Sequence, residues 1–347
     1  MALPTIPVRP LGASARGRYR WLFATAFFTL VLVSWGSFVT SIEAGMAVPD
    51  WPHSFGTMNQ LKTGYNAATG DTGAWWQNTG VLAEHGHRLW GMVVGLLTLG
   101  AGLWAQRDER RAMRRLGVAA VILVGVQGVL GGVRVTENSV LLALVHACTA
   151  QVFFSLLVGM TLASSGVWRR AEGVPEASPA LDRVRRVALA LAAMTYVQIV
   201  FGAVLRHLGQ GIQPHAAATH VAGAFAVVAL VFAVFVHVQK LDGAGRLLTR
   251  ASWGLLGLVG VQFALGIAAY AILLTEVPLA IRSGWQVFSA SAHLVVGALL
   301  MATAVTTALL ALRRPVAADV AEANGVSGDG AAQRADLAGA APLATPA

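Results

Sequence analysis

The stretch VGVQGVLG at residues 124–131 recurs as VGVQFALG at residues 259–266, an offset of 135 residues that indicates an internal repeat. Two sets of histidines keep a similar spacing: His87 and His220 are 133 residues apart, and His146 and His293 are 147 apart. The larger offset predicts an insertion in the loop around residues 275–285. We therefore expect two matching halves, each with one copy of the motif and one pair of histidines.

The repeat is built from long apolar segments. The 347-residue chain is 56% hydrophobic and 12% charged, with a mean hydropathy of +0.64, which excludes an ordinary soluble domain. A helix needs roughly 20 apolar residues to cross a bilayer. Eight segments are long enough: 21–40, 88–105, 117–134, 140–165, 184–205, 218–239, 251–274 and 287–312. The sequence therefore predicts an all-α integral membrane protein with eight transmembrane helices.

The even number of helices in each half predicts how the halves are related. Both halves should run in the same direction, as two tandem four-helix bundles related by pseudo-two-fold symmetry along the membrane normal. The predicted organisation is an N-terminal tail at 1–20, a first bundle at 21–168, a linker at 169–183, a second bundle at 184–312 and a disordered tail at 313–347.

The distribution of basic residues predicts the orientation in the membrane. Lys and Arg number 25 against 16 Asp and Glu, and they form short clusters between apolar segments, so no nucleic-acid partner is predicted. Most of them fall in the two tails and in the second, fourth and sixth loops, which the positive-inside rule places in the cytoplasm. The exceptions are Lys62, Arg88, Arg134, Arg206 and Arg282. We expect a multi-pass protein of the cell inner (plasma) membrane with both termini cytoplasmic.

The four spaced histidines lie near the outward-facing ends of apolar helices. They are His87 and His146 in the first half and His220 and His293 in the second. An ionisable residue at membrane depth is costly without a partner, so each one marks a candidate functional site. The two helices of a pair start on the same side, so their histidines can face each other, as bis-imidazole ligation of a haem iron requires. A hydrogen-bonded packing role is the alternative for each histidine.

Glu84 is the one acidic candidate beside these histidines. It precedes His87 by three residues and shares its helix face, whereas His85 and Arg88 are predicted to point elsewhere. A carboxylate is also favoured near a helix N-terminus, so a simple end-stabilising role remains open. Its position one turn outward from a candidate ligand suits a group that handles protons or charge at the edge of a haem. The matching position in the second half is Ala217, so the two sites should differ.

The other candidates are weaker. Cys148 is the only cysteine, which excludes a disulfide within the chain, and we expect a buried, inert thiol. Trp51, Trp75 and Trp76 in the first outer loop are predicted to lie at the membrane interface. The remaining histidines are expected to be solvated or interfacial: His53, His207, His215 and His237.

The first outer loop and the helix that follows it resemble haem A synthases. The resemblance depends on AGMAVPDWP at 44–52, SFG at 54–56 and EHGHRL at 84–89. With the eight-helix repeat and the other histidines, it extends over about residues 21–312. It implies an oxidoreductase that converts the C8 methyl group of haem O to a formyl group, giving haem A for terminal oxidases.

The resemblance also implies roles for the candidate residues. His220 and His293 would ligate a permanent haem b, while His87 and His146 would bind the haem O substrate, with Glu84 as the catalytic acid. Implied partners are a haem O synthase and a membrane electron donor, and a homo-oligomer remains open. Many members have a cysteine pair in the first outer loop, and this chain has none there, so electron delivery through such a pair is not expected.

Two other functions remain open on the sequence. A di-haem b-type membrane cytochrome that only transfers electrons would use all four histidines but would have no need for Glu84. A transporter built on the same repeat would use the histidines as a proton relay. It would not need the loop motif, and it would be colourless.

Overall fold

The computed structural model describes residues 13–58, 74–169, 175–207, 214–275 and 283–313. Eight long helices lie in this part of the chain: α1 (Ala13–Ser41), α2 (Thr79–Ala105), α3 (Arg111–Thr136), α4 (Val140–Ser164), α5 (Pro179–His207), α6 (Pro214–Gln239), α7 (Arg246–Thr275) and α8 (Gly284–Leu312). All eight are long and apolar enough to cross a membrane. The all-α class and the eight predicted spans are confirmed, and the protein is a multi-pass membrane protein.

Several helices begin well before their apolar segments. The helix α1 starts at Ala13, inside the predicted tail, and α5 starts at Pro179, inside the predicted linker. Hydropathy missed these turns because their polar residues are helical but not apolar. At α2 the side chain of Asn78 accepts a hydrogen bond from the Val81 N–H, which caps the helix. Apart from Arg313, the disordered tail predicted at 313–347 lies outside the described residues, as does most of the predicted insertion.

The last helix, α8, joins the two halves. It packs against α5 and α7 of the second half and also against α1 and α4 of the first. Ala298 and Ala302 of α8 belong to the apolar core of the first half, where small side chains allow helices to approach closely. Near the ends that carry the candidate sites, the hydroxyl groups of Ser41 and Ser291 lie 3.4 Å apart. The halves therefore share one continuous interface.

A charged network lies at the opposite end of the bundle, around Asp108 between α2 and α3. Arg18 of α1 lies 3.2 Å from the Asp108 carboxylate, and Arg110 donates to it at 3.0 Å. Arg110 also donates to the Ala163 carbonyl near the end of α4, one of the carbonyls that a helix end leaves without a partner. Burial raises the pKa of Asp108, but the hydrogen bonds and charge of Arg110, together with the charge of Arg18, outweigh it and hold that pKa below its ordinary value.

Candidate functional site

Each of the four histidines lies against a glycine of the helix that precedes its own. The pairs are His87 with Gly36, His146 with Gly131, His220 with Gly202 and His293 with Gly266, where a Cβ on the glycine would lie 2.9, 3.2, 3.0 and 3.1 Å from the ring. Because carbon atoms in contact are normally about 3.5–4.0 Å apart, a larger side chain at any of the four would displace the imidazole. The glycines therefore determine where the histidines sit.

The repeated motif supplies both this glycine and a glutamine that contacts the same histidine. Gly131 and Gly266 are its last residues. In the second copy, Gln262 Nε2 lies 3.1 Å from His293 Nε2. In the first copy, the amide orientation of Gln127 that satisfies its neighbours places its nitrogen 3.2 Å from His146 Nδ1. Each copy of the repeated motif therefore places a glycine and a glutamine against one histidine. The copy on α3 contacts His146, and the copy on α7 contacts His293.

His220 has a similar glutamine support outside the repeated motif, and His87 does not. Gln198 of α5 has its Nε2 3.1 Å from His220 Nδ1 and donates to the His220 carbonyl at 2.7 Å. For His87 the contact is the backbone carbonyl of Leu32 in α1. A hydrogen bond to one ring nitrogen orients the imidazole and leaves the other nitrogen for a metal. Each of the four histidines thus has a backbone contact on the preceding helix, with Leu32, Gln127, Gln198 or Gln262, and three of the four also have a glutamine side chain as a neighbour.

The two histidines of the second half face each other. The centroids of the His220 and His293 rings are 6.2 Å apart, and the ring planes are inclined by 68°. Since an imidazole nitrogen binds a transition metal at about 2 Å, two rings that share one ion have centroids about 6 Å apart. In addition, His293 Nδ1 is buried without a hydrogen-bond partner in the described part of the chain. The two imidazoles could therefore hold a single haem iron between them.

The glutamines beside this pair are compatible with metal binding. The Oε1 atoms of Gln198 and Gln262 are both buried without a partner among the described residues. A half-turn of the Gln262 amide would let its oxygen accept a ring N–H from His293, which is the usual partner of a metal-bound histidine. Between 13 and 313, the described segments contain no group of three or more His, Cys, Asp or Glu side chains that could hold a metal ion. The candidate sites are therefore histidine pairs.

In the first half, His87 and His146 lie within electrostatic range of each other. Both rings are half-buried, on α2 and α4. Of the remaining histidines, His53 and His215 are exposed as expected, whereas His207 at the end of α5 is half-buried. The two candidate ligands of the first half are therefore near enough to interact electrostatically.

Glu84 is buried beside this pair, with 2% of its surface exposed. Its Oε2 accepts a hydrogen bond from the Val48 N–H at 2.8 Å, and its Oε1 accepts one from Arg88 Nη2 at 2.8 Å. The prediction that Arg88 points away from Glu84 is wrong, because residues four apart lie on the same helix face. Each Glu84 oxygen therefore accepts one hydrogen bond.

The Glu84–Arg88 pair also fixes the first outer loop. Arg88 donates to the carbonyls of Val48, Asp50 and His53, at 2.8, 2.7 and 3.2 Å. The Asp50 carboxylate in turn accepts the backbone N–H groups of residues 55 and 56 at 2.8 and 2.7 Å. The three stretches on which the sequence resemblance depends therefore form one connected structure over the N-terminal end of α2.

Aromatic residues of the loop pack onto the helices beneath it. The Trp51 ring lies directly against Gly132 of α3, a position where a Cβ would collide with it. Trp75 packs on His85, with ring centroids 4.7 Å apart, and His85 is fully buried. Of the three tryptophans predicted at the membrane interface, Trp76 is the most exposed, at 60%. Trp51 and Trp75 therefore help to close the loop over the site.

The COX15-CtaA family model, described as a cytochrome oxidase assembly protein, matches residues 19–220. The chain belongs to this family. It is 29% identical over 188 residues to a protein named Heme A synthase from Symbiobacterium thermophilum, covering 52% of this chain and 56% of that protein. It is 27% identical over 221 residues to a protein of the same name from Rhodopseudomonas palustris strain BisA53, covering 55% of this chain and 57% of the relative. The chain thus spans little more than half the length of these curated relatives.

The family match includes Glu84, His87, His146 and His220 but ends before His293. Within the matched part, Arg134 in the last turn of α3 is a neighbour of the site that sequence reasoning had not selected. It lies within electrostatic range of His87, His146 and Glu84. The available signal was its place among the few basic residues predicted on the outer side of the membrane.

Proposed function

We propose that this COX15-CtaA family member is a haem A synthase, which oxidises the C8 methyl group of haem O to a formyl group. The family match, the names of the curated relatives and the two histidine pairs support this function. The main support for this function is that the surroundings of His87 and His220 differ. His87 has the buried Glu84–Arg88 pair one turn away, while Ala217 stands at the matching position before His220.

We assign the two histidine pairs to two different haems. His220 and His293 hold a resident haem b, an assignment that the 6.2 Å centroid separation and the unpartnered His293 Nδ1 support. When bound, a haem b there supplies electron transfer between the active site and a redox partner in the membrane. His87 and His146 bind the iron of the haem O substrate. In this proposal residues 21–168 form the substrate half and residues 184–312 the haem b half.

Glu84 acts in this proposal as a fixed negative charge. Its oxygens accept hydrogen bonds from the Val48 N–H and from Arg88, and these contacts fix the position of the carboxyl group. A carboxylate held next to the reacting methyl group stabilises positive charge that develops on that carbon. Glu84 also holds the loop through Val48 and Arg88. Its two contributions must therefore be separated by experiment.

The distribution of Lys and Arg indicates on which side of the membrane the reaction takes place. The clusters of basic residues support a plasma-membrane protein with both termini in the cytoplasm, and hence sites at the outer side. We propose a haem O synthase as the source of substrate and a membrane electron donor as the redox partner. The buried Cys148 in α4 is the only cysteine of the chain, so no cysteine pair takes part.

Two substitutions at Glu84 test the mechanism. Glu84→Gln keeps an oxygen that accepts the Val48 N–H, whereas Glu84→Ala removes both charge and acceptor. We expect both variants to retain bound haem and to stop haem A formation. Glu137→Gln, which changes an exposed carboxylate at the end of α3, is the control and should form product normally. Normal haem A formation by Glu84→Gln would show that the reaction does not need the charge of Glu84 and that this residue only holds the loop in place.

A third substitution tests the assignment of the two halves. His293→Ala should abolish the stable b-type absorption spectrum, because the resident haem loses one axial ligand. His146→Ala should leave that spectrum in place and lose haem A formation. An unchanged b-type spectrum in His293→Ala would overturn the assignment.

A further inference from the structure

Arg134 lies directly above one of the histidine contacts. It follows Gly131, against which His146 rests, by three residues, so the two share a face of α3. On its other side, its Nη1 would be 3.1 Å from a Cβ at Gly45 in the first outer loop. The guanidinium group therefore lies between the His87–His146 site and the loop that covers it.

This guanidinium group has no hydrogen bond or ion pair with any residue that the structure describes. Glu84 is engaged by Arg88 and Val48, and Asp50 by two backbone N–H groups. Arg134 is thus a guanidinium group of this site that no carboxylate of the described residues binds directly. A half-buried cation without a partner is costly, so its presence indicates an anionic ligand.

We propose that Arg134 binds a propionate carboxylate of the haem held between His87 and His146. This inference deepens the proposed function and depends on it. A guanidinium group matches a carboxylate with two parallel hydrogen bonds, which fixes orientation as well as position. A haem has only two anionic substituents, both on the same edge of the macrocycle, so binding that edge also sets its rotation about the axis between the two imidazoles.

Binding of a propionate by Arg134 would affect which methyl group of the haem reacts. In haem O the C8 methyl group shares its pyrrole ring with one of the propionates. A guanidinium group that holds this propionate keeps the C8 methyl group on the side of the site where Glu84 lies, since Arg134 and Glu84 are within electrostatic range of each other. Arg134 is therefore a positioning residue, and it contributes to the choice of C8 over the methyl groups of the two pyrrole rings that have no propionate.

The test compares ferric protohaem with its dimethyl ester, which has no carboxylates. Each is titrated into the protein with its resident haem b in place, and binding is followed by the change in Soret absorbance. Wild-type protein should bind the ester about tenfold to a hundredfold more weakly than the acid, as expected for the loss of charge-assisted hydrogen bonds. Arg134→Gln should bind the acid as weakly as wild type binds the ester, and should not distinguish the two. Arg134→Lys should fall between.

The controls separate this inference from the proposed function. Arg107→Gln removes an equal charge from an exposed position at the opposite end of α2 and should behave as wild type. An unchanged resident b-type spectrum shows that each variant is folded. Equal binding of protohaem and its dimethyl ester by the wild-type protein would by itself show that Arg134 does not bind a propionate. If His87→Ala and His146→Ala leave both titrations unchanged, the substrate site itself is refuted.

Discussion

Replacement of Gly266 by alanine should displace His293 without touching any polar group. The new Cβ would lie 3.1 Å from the ring carbon Cε1. Because carbon atoms in contact are about 3.5–4.0 Å apart, the imidazole must move by roughly 0.5 Å. Metal–ligand distances hold to about 0.2 Å, so this displacement exceeds what the coordination of an iron tolerates.

The ring cannot move freely to relieve the contact. Gln262 lies 3.1 Å from His293 Nε2, and a shift away from Gly266 weakens this contact as well. Disruption of a ligand's supporting contacts typically lowers metal affinity by about tenfold to a hundredfold. We therefore expect Gly266→Ala to retain resident haem b more weakly by a factor in this range.

The assay is haem content per protein together with the rate of haem transfer to excess apomyoglobin. Gly260→Ala is the matched control, because it lies on the same helix and its Cβ would have no neighbour within 4 Å. The control should retain haem as wild type does. Unaltered haem retention in Gly266→Ala, or an equal loss in Gly260→Ala, would refute the view that the glycine positions the histidine.

Further predictions concern the supports of the sites and the charged end of the bundle. Gln262→Leu should weaken haem retention and raise the midpoint potential of the resident haem, because the histidine loses a hydrogen-bond partner that makes it more basic; an unchanged potential in a redox titration would argue against this role. Asp108→Asn should lower the melting temperature at neutral pH, because the depressed pKa of Asp108 means that its ionised form stabilises the fold. This stabilisation is present above the ordinary Asp pKa of about 4 and is lost as the pH falls through the lower folded-state value. The difference from wild type should therefore shrink below about pH 4, whereas Glu109→Gln at the exposed neighbouring position should show no difference at any pH.

The helices and the pairing of the histidines were accessible from sequence because both depend on local or repeated patterns. Apolar length is a property of each segment alone, and the similar offsets of His87 to His220 and of His146 to His293 needed no knowledge of packing. The helix starts were missed at α1 and α5, where charged residues continue the helix beyond the apolar stretch. The symmetry axis relating the two bundles stays a prediction.

The covering structure of the first site was not predictable in the same way. The contacts of Glu84 with Val48 and of Arg88 with the loop carbonyls join residues far apart in sequence, and no periodic pattern marks them. The glycine that supports each histidine is likewise defined by a neighbouring helix. The repeated motif did contain two of these glycines, Gly131 and Gly266, but only the structure shows that they touch His146 and His293.

The central claim is that this chain converts haem O to haem A. The most direct measurement is extraction and chromatography of the haems from membranes that contain a haem O source, prepared with and without the chain and supplied with a reductant. We predict haem A only when the chain is present. Membranes in which the chain binds haem b while haem O remains unconverted would contradict the claim and would instead indicate an electron-transferring di-haem cytochrome.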